Sequence, residues 1–71
     1  MESKKFFGRL RYLKKNEFFV LGIYKFYYND IYYVHNLSSG ELEFSHKNVK
    51  EIYKTFIDLL VILGLVEKEE E

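Results

Sequence analysis

From Ser45 to Gly64 the chain carries a single amphipathic repeat, and no other stretch restricts the fold as strongly. Val49, Ile52, Tyr53, Phe56, Leu59, Leu60 and Leu63 fall on one stripe of a 3.6-residue period. Lys47, Lys50, Glu51, Lys54 and Asp58 take the remaining faces. Ser45 is of the residue type that caps a helix start. Glu51 and Lys54 have a helical ion-pair spacing, and Gly64 suits the left-handed position that ends a helix. The spacing therefore predicts a long helix over 45–64, followed by a short strand at Leu65-Val66. The second half of this helix is nearly all apolar and has to be buried, by the rest of the chain or by a second copy.

With 71 residues the chain supports one domain. A domain of this size buries only about 60% of its unfolded surface. Seven Tyr and seven Phe offset the small size, because each large aromatic buries about 150–250 Å². The composition is that of a folded domain. There is no Cys, hence no disulfide and no thiolate metal site. His35 and His46, even with Glu41 and Glu43, lack the spacing of a metal site. No nucleophile or acid–base motif is visible, so neither catalysis nor a cofactor is expected. The longest apolar run, Leu59 to Val66, has eight residues, against about 20 for a membrane span. The first residues, MESKKFFGRLRYLKK, show no apolar signal region. A soluble cytoplasmic protein with no membrane partner is expected.

Upstream of Ser45, Phe6, Phe7, Leu10 and Leu13 fit a short amphipathic helix over 3–14 with Ser3 as its cap. Asn16-Glu17 reads as a second cap. Residues 17–28 are apolar almost all round, which predicts a buried helix; their β-branched and aromatic content leaves a strand pair as the alternative. Asn29-Asp30 is a turn signal. Ile31 to Val34 reads as a short strand, and the stretch from His35 or Asn36 to Leu42 as a short helix.

Taken in order, these cues resemble a winged helix-turn-helix domain of the small prokaryotic and archaeal type. Ile31 to Val34 corresponds to the short first strand, Val34 and Leu37 open the second helix, Phe44-Ser45 forms the turn, and Leu63-Gly64-Leu65-Val66 marks the junction to the wing. Residues 17–28 would be the first helix. The wing is truncated, since Val66 is followed only by the acidic tail 67–71. The resemblance implies a mostly α fold with a small β component, a three-helix core preceded by a basic segment at 1–15. It also implies a small DNA-binding protein, a transcription regulator whose third helix (about 46–63) enters the major groove of double-stranded DNA.

On that reading the DNA-contacting residues are Ser45, His46, Lys47, Asn48, Lys50 and Lys54, where Asn pairs with adenine and Lys with guanine or phosphate. Lys4, Lys5, Arg9 and Arg11 would add phosphate contacts. Charge is unevenly placed: residues 1–54 carry ten Lys/Arg against six Asp/Glu, and residues 55–71 one Lys against five. A solvated basic face with an acidic tail gives the same pattern. Tyr24, Tyr27, Tyr28, Tyr32 and Tyr33 could stack on single-stranded nucleic acid, although such clusters more often form a core. The apolar end of the long helix allows a homodimer. The second functional expectation is a protein–protein interaction module on the same framework without DNA binding.

Overall fold

Residues 17–28 form a β-hairpin, and this changes the architecture. In the computed structural model, which describes residues 1–68, the order is α1 (Ser3–Arg11), β1 (Glu17–Leu21), β2 (Tyr24–Asn29), β3 (Ile31–Asn36), β4 (Leu42–His46) and α2 (Val49–Ile62). The strands make one antiparallel meander in the order β1-β2-β3-β4. The mostly α, three-helix reading is thereby overturned, and the winged helix-turn-helix with it: the described residues hold two helices and a four-stranded sheet.

The physical reasons lie in the turns and in the cover available. A helix apolar on every side needs neighbours on every side, which this short chain does not have. Gly22, at φ 58°, instead opens a two-residue turn that pairs Leu21 with Tyr24. Asn16 (φ 70°) and Asp30 (φ 66°) mark the two ends of the hairpin. Asn16 thus leads into a strand and does not cap a helix; its N–H donates to the Tyr28 carbonyl at 2.8 Å. The stretch from His35 to Leu42 completes β3 and turns into β4. Asn36 Oδ1 accepts the N–H groups of Ser38 (2.8 Å) and Ser39 (3.1 Å) and so shapes that turn.

Strand register gives each residue its face. Phe19, Phe26, Val34 and Phe44 lie in one cross-strand row, flanked by Tyr24, Tyr28 and Tyr32. Both helices pack on this side. Phe6 of α1 lies 5.2 Å from the Phe26 ring, and Phe56 of α2 meets Tyr24, Phe26 and Phe44 edge-on. Leu10, Ile52, Ile57, Leu60 and Val66 complete the core. The Tyr28 and Tyr32 rings lie 4.6 Å apart, tilted by 41°. Burial, and secondarily Tyr28, raises the Tyr32 hydroxyl above its ordinary pKa.

The long amphipathic helix is present but shorter than expected. Ser45 and His46 belong to β4, and Asn48 is the cap, its Oδ1 accepting the Lys50 N–H at 2.9 Å. Gly64 (φ 76°) ends the helix as expected. The predicted cap at Ser3 is displaced as well: Glu2 precedes α1, and Ser3 is buried. Leu65-Val66 makes no strand; Val66 enters the core. Glu67 then forms a single parallel bridge with Glu2, through Glu67 N–H to the Met1 carbonyl (2.7 Å) and Ser3 N–H to the Glu67 carbonyl (2.9 Å). Of the expected acidic tail, Glu69, Glu70 and Glu71 lie outside the described residues. No helix among the described residues is long and apolar enough to cross a membrane.

Candidate ligand-binding surfaces

The sheet has a second face on which no described element packs. Register puts Phe18, Tyr27, Tyr33 and Ser45 in one row across it, and Val20, Lys25, His35 and Leu42 in the next. Phe18 is 54% exposed, whereas its neighbour Phe19, on the helix side, is 4% exposed. Tyr27 and Tyr33 lie 6.0 Å apart, tilted by 34°. Tyr33 and His35 stack at 6.4 Å and 27°. The Lys25 ammonium sits 4.4 Å over the Phe18 ring and 5.8 Å from that of Tyr27. Tyr27 is held in place from the side, because its hydroxyl donates to Asn16 Oδ1 at 2.8 Å. His35 Nδ1 is enclosed without a hydrogen-bond partner, so the face presents the imidazole ring and not that nitrogen.

One end of this face is basic. Glu17, Tyr28, Tyr32 and His46 share a row, so Lys14 and Lys15 before β1 and Lys47 after β4 stand at the same end. Lys15 is paired with Asp30 at 3.8 Å. Beyond Phe18, a cleft of about 530 Å³ runs between α1 and β1, lined by Arg9, Tyr12, Leu13, Asn16 and Phe19 among others. The Arg9 guanidinium lies 4.7 Å over the Phe19 ring there.

On the opposite side of the molecule, α1 and α2 enclose a groove of about 370 Å³. Phe7 and Tyr53 form its floor and Lys4, Lys50 and Lys54 stand around it, with Ser3 at one end. The two rings meet edge to face, 5.2 Å apart at 79°. The Arg11 guanidinium lies over the Phe7 ring, 5.9 Å from its centroid.

The residues expected to contact DNA are thus divided. Lys4, Lys50 and Lys54 share the helix-side groove. Arg9 lies over Phe19 of β1 and Arg11 over Phe7 of α1, and Lys5 is exposed on that helix. Ser45 belongs to the open sheet face, across from Tyr33. His46 packs on Phe44 at 6.2 Å, and its Nδ1 accepts the Asn48 N–H at 2.9 Å. Asn48 spends its side-chain oxygen on the helix cap, and Lys47 is exposed in the turn before it. No recognition helix presents these residues as one row. The five tyrosines are divided too: Tyr24, Tyr28 and Tyr32 face the helices, Tyr27 and Tyr33 the open side. Phe18 and Lys25 carry no signal of their own in the sequence, and His35 enters there only as a rejected metal ligand; strand register places all three beside Tyr27 and Tyr33.

Among the described residues no group of three or more His, Asp or Glu side chains is arranged to hold a metal ion. No protein-family model, curated protein or solved structure matches the chain.

Proposed function

We propose that the protein is a small DNA-binding module that holds unpaired bases on its open sheet face. The observation that carries this reading is the row of Phe18, Tyr27 and Tyr33, with Lys25 among the rings, on a face without cover. Adjacent strands are about 4.8 Å apart, so the rings follow one another at intervals a stretched single strand can match. Every base has a π-face, and a stacked base contributes about 1–3 kcal/mol with little sequence preference. Lys25 adds a cation beside the rings, and Lys14 and Lys47 add charge at one end. In a duplex the bases are already stacked on one another, so this face favours single strands.

Because the face carries few cations, most of its affinity comes from stacking. Neutralising one to four phosphates gives a logarithmic salt slope between about −0.7 and about −3. The test is fluorescence anisotropy with a labelled oligothymidylate of about 12 nucleotides, and with a duplex of that length, at about 50 and about 200 mM salt. The single strand is expected to bind with the shallow slope, and Tyr27→Ala with Tyr33→Ala to weaken it at least about tenfold. Tighter binding of the duplex, lost on Lys50→Glu with Lys54→Glu, would return DNA to the helix side. Absence of binding to either probe at the lower salt ends the DNA reading.

A further inference from the structure

We infer that the groove between α1 and α2 is a separate docking site for an acidic peptide segment that carries a large apolar side chain. The inference is independent of the reading of the sheet face. It starts from the chemistry of the groove, which combines an apolar floor with a cationic rim. Phe7 and Tyr53 form the floor, both half-buried, with Phe6 fully buried behind them. Lys4, Lys50 and Lys54 form the rim. The carboxylate beside this rim on α2, Glu51, is engaged with Lys54 at 3.6 Å. That pair is exposed and three residues apart on a helix, so it is weak. An incoming carboxylate exchanges for it with little loss.

The angle between the rings decides which kind of anion fits. At 79° the Phe7 and Tyr53 rings make a cup with one edge and one face. A Phe or Leu side chain fills a cup of this kind. A flat base gains less, since it stacks on an open ring face and here the edge of one ring stands against the face of the other. The volume of about 370 Å³ is at the small end for ligand sites and fits an anchoring side chain with its neighbours. Acidic residues on either side of that anchor then meet Lys50 and Lys54. Charge of this kind steers the approach and sets orientation, while the buried apolar anchor gives most of the hold.

The probe is an end-blocked, labelled peptide in which a Phe-Leu pair is flanked on each side by two glutamates, titrated with the full chain and followed by anisotropy. Saturable binding is expected. Lys50→Glu with Lys54→Glu should weaken it at least about tenfold, and exchange of Phe-Leu for Ser-Ser in the peptide should do the same. Thermal melting of the double variant should stay near that of the parent, since both lysines are exposed; the milder pair Lys50→Gln with Lys54→Gln should fall between the two. Four outcomes overturn the proposal. The Ser-Ser peptide binds as well as its parent, so that charge alone acts; the lysine reversals leave binding unchanged; an oligonucleotide competes with the peptide for the groove; or light scattering reveals a dimer that the same reversals dissociate, so that a second copy is the occupant.

Discussion

The two faces of the sheet use the same residue types for opposite purposes. Phe19, Phe26, Tyr28 and Tyr32 lie under the helices, where their rings touch one another and the helix side chains. Phe18, which is exposed, and Tyr27 and Tyr33, which are half-buried, are each adjacent in sequence to one of these and lie on the face that no helix covers. A strand alternates its faces residue by residue, so a shift of one position separates structural rings from rings available to a ligand. Hydrophobicity does not distinguish the two sets; cover does.

Mutation can break this contrast or sharpen it. The largest effect is expected at Phe26, which is 1% exposed and touches Phe6, Phe19 and Phe56. Phe26→Ala should lose about 3–5 kcal/mol in denaturant unfolding, whereas Phe18→Ala should lose less than about 1 kcal/mol and act on oligonucleotide affinity instead. Equal losses at the two positions would mean that the open face is covered in solution. Next comes Gly22, whose turn sets which residues face the helices. An added methyl there meets Leu65 Cδ1 at 2.6 Å, at a φ of +58°. Gly22→Ala should therefore lower stability by about 2 kcal/mol.

Smaller effects follow the same division. Asn48→Ala removes the cap of α2 and should cost about 1 kcal/mol. Ser45→Ala, on the open face, should stay within about 0.5 kcal/mol; the reverse ranking would restore Ser45 as the helix start. The smallest effect appears only in alkali. Burial raises the Tyr32 pKa in the folded state, so the native protein holds this proton more tightly than the unfolded chain does. The contribution is fully present below the unfolded value, about 10, and is lost as pH rises through the folded one. Stability followed by circular dichroism should fall above about pH 10, and less so in Tyr32→Phe.

How far the sequence reveals this arrangement depends on the element. The apolar stripe of α2 and the stop at Gly64 were legible because a single covered face produces one clean period. Phe6 and Leu10 marked α1 for the same reason. Residues 17–28 look helical in the sequence because both faces of their hairpin carry aromatic rings, which erases the alternation that signals a half-buried strand. The open face that hid the strands is also the candidate ligand surface. Ser45 imitates the cap of α2 because it too is a short polar residue, three positions before Asn48. The grouping of Lys4 with Lys50 and Lys54 required the packing of the two helices and had no local signature.

The bridge between Glu2 and Glu67 has a mechanical consequence. The two segments run parallel, so tension applied at the ends of the described chain draws them along each other. Their two hydrogen bonds then carry the load together, in shear, and neither can be peeled away before the other. Both helices attach directly behind this clasp, at Ser3 and through Val66. The sheet is therefore shielded from tension until the clasp slips.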